Sequence, residues 1–251
     1  MISKTAKTKL IGVEPGFQWR GDEITRIEGL SDAVFAFAVT LLVVSLEVPH
    51  TYNDLFRALY GLPGFVMTFA MLMQIWYEQY KFFRRYGLQD LKTVVLTLSL
   101  LLIVLVYVYP LKFLFNNLLG WVGALLFPFV EAPHTDFFVN GPDLGRLMML
   151  YNVGVVALYG VYYLMFQHAY KLREELNLNK VEVFDTKDSM HQAIFFICLG
   201  ITGILILTLL PMESVGLSGV IYAPACAIYF PVSSYLAGKK RARLLRELGH
   251  H

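Results

Sequence analysis

Apolar residues in this chain come in long blocks, separated by short polar stretches that carry most of the Lys and Arg. A helix needs roughly 20 predominantly apolar residues to cross a hydrocarbon core. Six blocks meet that length, at about 24–48, 55–84, 91–116, 143–172, 188–210 and 214–238. The pattern predicts an all-α integral membrane protein, a single six-helix domain over residues 1–251. Pro49 closes the first block, Pro110 lies near the end of the third, and Pro224 and Pro231 predict kinks in the last. The second and third blocks are long enough to tilt. One connection stands out: 118–142 holds Trp121, Phe127, Phe129, Phe137 and Phe138 but is broken by Gly120, Gly123, Pro128, Pro133 and Pro142. Its apolar part is too short to span, so it reads as an external segment at the interface or folded back on the bundle, in preference to a re-entrant filter. The polar interval 173–187 reads as a solvated loop.

Composition agrees with the pattern: 57% of residues are apolar, 16% are charged and the mean hydropathy is +0.55. A net charge of +2 gives no basis for a nucleic-acid partner. The placement of charge says more. Of 21 Lys and Arg, 18 fall in the N-terminal segment, the hairpin around Arg85, the loop 173–187 with its flank, and the tail after Lys239. Arg57, Lys112 and Arg146 are the exceptions. With an even number of spans this asymmetry puts both termini in the cytoplasm. Residues 1–20 hold no apolar stretch of the kind a cleaved signal peptide needs. Cys198 and Cys226 sit inside apolar blocks and read as small buried hydrophobes. Nucleotide loops, zinc helices and nucleophile elbows do not occur, and the six histidines do not form a ligand set, so neither an enzyme, a cofactor nor a resident metal is expected. The Thr-Val-Gly-Tyr-Gly filter of ordinary potassium channels is also missing.

Ionisable groups inside spans cost on the order of 2.5–3.5 kcal/mol each at a helix centre, so the first block draws notice. It carries Arg26, Glu28 and Asp32, after which residues 33–46 hold no charge. Arg26, Ser31 and Asp32 either mark the cytoplasmic interface or form a polar network with neighbouring helices. Beyond them, Leu30, Val34, Phe37, Leu41, Val44 and Val48 make one stripe, flanked by Ala33 and Thr40. Periodicity leaves open whether that stripe faces lipid, a neighbouring helix or a pore.

The run from Arg26 through Leu30-Ser31-Asp32 to Thr40 and Ser45 resembles the first-helix signature of the transmembrane protein 175 family, endolysosomal potassium channels and their prokaryotic relatives. That signature is an Arg, three residues, then Phe-Ser-Asp; Leu30 stands here where the family usually has Phe. The likeness continues through Trp76, the hairpin to Asp90, and Pro110. Where the family commonly has a His pair after that Trp, this chain has Gln79 and Tyr80. The resemblance implies a homotetramer in a prokaryotic plasma membrane, conducting K+ ions through a pore lined by the first helix. It further implies a hydrophobic constriction at Phe37, Leu41 and Val44, with Thr40 tuning selectivity. Arg26, Ser31 and Asp32 are then the structural polar network, and Trp76 and Gln79 their second-helix partners. Asp32 and Glu47, near the two mouths, would attract cations. The alternatives are a secondary ion transporter built on the same polar residues and a non-catalytic membrane scaffold.

Overall fold

A computed structural model describes residues 16–21, 23–44, 50–126, 142–211 and 216–247, with side chains 53, 54, 56–61, 116–126 and 142 left aside. The end of the first block with Glu47 and Val48, the segment 127–141, and His250 and His251 therefore lie outside the described residues. The chain forms α1 (Arg26–Val44), α2 (Tyr52–Tyr86), α3 (Leu91–Leu126), α4 (Pro142–Lys171), α5 (Lys180–Leu209), the single turn α6 (Leu217–Val220) and α7 (Tyr222–Glu247). Taking α6 and α7 together, the all-α, six-helix membrane architecture expected from hydropathy is the one observed. α1, α3, α4, α5 and the α6–α7 segment each have the length and apolarity to cross a bilayer.

Several boundaries depart from the sequence reading. α3 runs past Pro110 to Leu126, so the first part of the interval 118–142 is helix and not loop. Proline removes one backbone donor, but in an apolar surrounding a broken helix would expose several, so continuing is the smaller cost. The Tyr151 hydroxyl, from α4, donates to the Pro110 carbonyl at 2.5 Å. α5 starts eight residues before the apolar block does, inside what reads as a solvated loop. Asn179 accepts from the Val181 and Glu182 amides, and Glu182 accepts from the Asn179 amide, a reciprocal cap that nucleates the helix in polar sequence. Asn177, at φ 48°, turns the chain out of α4 toward that cap. α7 likewise extends beyond residue 238 to Glu247.

One apolar core joins the first four helices. Phe35, Ala38 and Leu42 of α1 meet Leu72 and Ile75 of α2, Leu100, Val104 and Val108 of α3, and Tyr162, Met165 and Phe166 of α4. α1 thus lies in the groove between α2 and α3, and α4 packs on α3 and reaches α2, where the Tyr162 hydroxyl donates to the Ile75 carbonyl. α5 packs along α4 most closely at Gly200 and Gly203, where an added Cβ would lie 3.1 Å from the Asn152 carbonyl and 2.0 Å from its side-chain oxygen. α7 attaches through α5 and has no buried residue; Tyr229 stacks on Phe195 and Tyr222 donates to Asn152. The cysteines are free, Cys198 exposed and Cys226 half-buried, instead of both buried as expected. In a membrane helix an outward thiol meets an apolar medium and loses nothing by exposure.

Candidate pore helix and its polar anchor

Packing of α1 against α2 and α3 fixes which of its faces is open. Glu28, Ser31, Phe35, Ala38 and Leu42 are buried. These positions recur at the three- and four-residue spacing of one helical face. Opposite them Ala33, Ala36, Phe37, Thr40 and Val44 are exposed in the single chain, Phe37 at 55% and Val44 at 72%. The predicted stripe is therefore divided. Leu30, Phe37 and Val44 lie on the open face, whereas Val34 and Leu41 are half-buried at its edge and Val34 touches the core. The centre of the open face is shifted toward Thr40, and Val43, which projects away from the stripe, is exposed on the far shoulder. The Thr40 hydroxyl donates to the Ala36 carbonyl at 2.9 Å, which commits its proton and leaves its oxygen lone pairs outward.

At its N-terminal end, α1 is tied to α2 by polar contacts. The Trp76 indole donates to Asp32 Oδ1 at 2.8 Å, and Gln79 Nε2 donates to Ser31 Oγ at 3.1 Å. Ser31 itself donates to the Ile27 carbonyl at 2.8 Å. The structure brings Ser31, Asp32, Trp76 and Gln79 together, with Gln79 buried. Arg26 is not among them: it is exposed and makes no hydrogen bond or ion pair with another described residue. A separate contact is made by Arg84, near the end of α2, which pairs with the buried Glu28 and donates to the Gly21 carbonyl at 2.6 Å. The sequence reading gave Glu28 no role and missed this pair. The available signal was that Glu28 falls in register with Phe35, Ala38 and Leu42, a carboxylate on the buried stripe that needs a cation.

The open α1 face, the long apolar helices and the polar anchor define an integral membrane protein of the channel class. Comparison with known proteins agrees. The family model for the endosomal/lysosomal potassium channel TMEM175 matches residues 26–110, the stretch that carries α1, its anchor and most of α2 and α3. A potassium channel of Marivirga tractuosa is 37% identical over 245 residues, 95% of this chain and 97% of that protein. The crystal structure of the potassium channel MtTMEM175 T38A variant, in complex with a nanobody-MBP fusion protein, superposes with a TM-score of 0.78 at 36% identity, covering 90% of this chain and all of that one. The chain belongs to the TMEM175 family.

Proposed function

We propose that the protein is a potassium-selective channel in which identical subunits, four to a ring, place α1 around a central axis. The carrying observation is the open face of α1: Phe37, Thr40 and Val44 are exposed in a helix whose other side is locked into the bundle. Closed cyclic assembly of identical chains gives each copy the same environment and covers this face. Phe37, Val44 and the edge residue Leu41 then form an apolar ring. A narrow ring of this kind holds no continuous water and so is non-conducting; dilated, it passes water and ions together. Thr40 supplies the polar element. With its proton held by Ala36, each hydroxyl presents lone pairs to a cation that has lost part of its hydration shell. Potassium sheds water at lower cost than sodium, so a constriction that demands partial dehydration favours it. Asp32, held by Trp76 and exposed near the inner end, concentrates cations there.

Reconstitution in a planar bilayer under opposed potassium and sodium gradients tests the reading. A channel gives unitary currents reversing near the potassium equilibrium potential; coupled flux without unitary events would indicate a secondary transporter, and no flux a scaffold. Phe37→Asn should raise conductance and admit sodium, with Leu41→Asn intermediate because Leu41 is half-buried. If the face met lipid instead, the same amide would sit in hydrocarbon and lower the yield of protein, leaving any current unchanged.

A further inference from the structure

Two buried ion pairs lie beyond the N-terminal end of α1 and at its first turn, and neither contributes to the proposed pore wall. Glu182, in the first turn of α5, is fully buried and surrounded by donors. Arg20 reaches it with Nη1 at 2.9 Å and Nη2 at 2.8 Å, and the Gln18 amide donates to it at 2.7 Å. Arg20 also donates through Nε to the Leu176 carbonyl at 2.8 Å, so its guanidinium binds the α4–α5 turn on two sides. Residues 16–21 are held there as a strap. The strap's other side meets α2: the Arg20 and Gly21 amides donate to the Arg84 carbonyl at 3.1 and 3.3 Å, and Arg84 answers with its bond to the Gly21 carbonyl. Arg84 then pairs with Glu28, in the first turn of α1, where Thr25 and Glu28 cap each other. A continuous polar path therefore runs from the α4–α5 turn through Glu182, Arg20, Arg84 and Glu28 into α1.

We propose that this strap is a positioning device for the pore helix: the Arg20–Glu182 and Arg84–Glu28 pairs carry the position of the α4–α5 turn to the inner end of α1 and so set how often the pore is open. The proposal rests on α1 lining the pore. Removing one partner of such a pair leaves an uncompensated buried charge, so the strap responds sharply to small displacements. The contact is also close enough to depend on glycine. A Cβ at Gly21 would lie 2.4 Å from the Phe83 carbonyl, and one at Gly87, where φ is +60°, 2.9 Å from the Arg20 carbonyl. Beside the strap is a cavity of 310 Å³, lined by Arg20, Gly21, Glu23, Thr25, Glu28 and neighbouring residues, which gives it room to shift. Phe17, wedged against Tyr86 and beneath the Arg85 guanidinium, is the strap's apolar hold on α2.

The test uses the full-length channel in lipid bilayers, with Glu182→Gln to unbalance the pair and Gly21→Ala to wedge the strap off α2 while leaving every charge in place. Hydrogen exchange reads the strap's grip on α1, and single-channel recording reads gating. Both variants should raise exchange over residues 26–34 several-fold relative to 91–108 and change open probability several-fold, at unchanged unitary conductance and potassium-to-sodium ratio. Arg20→Lys, which keeps the charge but loses the fork, should fall between them and the wild type. Should Glu182→Gln not assemble, Gly21→Ala carries the test alone. Faster exchange with wild-type open probability would reduce the strap to a structural brace, and unchanged exchange would deny its grip on α1; either result overturns the proposal. Phe37→Asn recorded alongside keeps the two ideas apart, since wild-type conduction in that variant removes the pore reading while the exchange result stands.

Discussion

At the scale of single residues, the decisive contacts join side chains far apart in sequence, and their costs differ by how completely each group is withdrawn from water. Arg84→Gln leaves the Glu28 carboxylate, 6% exposed, without its paired cation. Breaking a buried pair from one side costs about 3–5 kcal/mol, so this variant should show a lower unfolding temperature and less of the proposed tetramer in size-exclusion chromatography. Asp32→Ala removes only the acceptor of the Trp76 indole, from an exposed carboxylate, and should cost about 1 kcal/mol in the same melt. If the smaller change fell on Arg84, the roles assigned to the two carboxylates would be reversed. Ser31 and Asp32 were nameable from sequence because polar residues on an apolar helix announce a partner, and Trp76 and Gln79 were named through the family resemblance. Arg84 was not, since its match to Glu28 depends on how far the α1–α2 hairpin is offset, which hydropathy does not encode.

At the scale of elements, the six long helices were legible because apolar length is a strong signal, and their ends were not because ends are set by caps and packing. The α5 start is the clearest instance. Its polar first turns look like loop to any hydropathy reading, yet Asn179 and Glu182 carry the capping signature three residues apart. Asn179→Ala should cost about 1 kcal/mol, seen as faster hydrogen exchange confined to residues 180–186. The α2–α3 hairpin offers a pH test. Partial burial raises the Asp90 carboxyl, but the Thr93 hydroxyl and the His168 ring, 2.8 Å away, act the other way, and the balance lies below the ordinary 3.8. A carboxyl lowered by folding contributes stability above its unfolded value and loses it as pH falls through the folded one. The gap in unfolding temperature between wild type and Asp90→Asn should therefore be constant at neutral pH and close below pH 3.8.

At the scale of the molecule, orientation is probed by the accessibility of the turns. The basic residues at the α2–α3 and α4–α5 turns predict, on the positive-inside rule, that both turns face the cytoplasm. Lys92 and Lys180 are exposed, and the Arg146 side chain, at the opposite end of the bundle, is 82% exposed. In a background free of Cys198 and Cys226, cysteine at Arg146 should react with an impermeant thiol reagent on intact cells, and cysteine at Lys92 or Lys180 only after lysis. Labelling at Lys180 from outside would invert the topology. Assembly was not readable from the hydrophobic pattern alone, because a stripe facing lipid and one facing its own copies have the same composition; packing of α1 narrows the choice by showing which side the bundle leaves open.

The bond from Thr40 to Ala36 has a consequence for the sign of the permeant ion. Each hydroxyl in the proposed ring has its hydrogen turned inward to its own helix and its oxygen turned outward. A ring so polarised offers ligands to a cation and no donor to an anion, so chloride would lose hydration there and gain nothing in exchange. Discrimination between cation and anion would then require no fixed negative charge at the narrowest point. It would persist in high salt, where a field from Asp32 is screened within a few ångströms. In a potassium chloride gradient of molar strength, the reversal potential should keep following potassium; Thr40→Val, which keeps the shape and removes the oxygen, should let it drift toward zero.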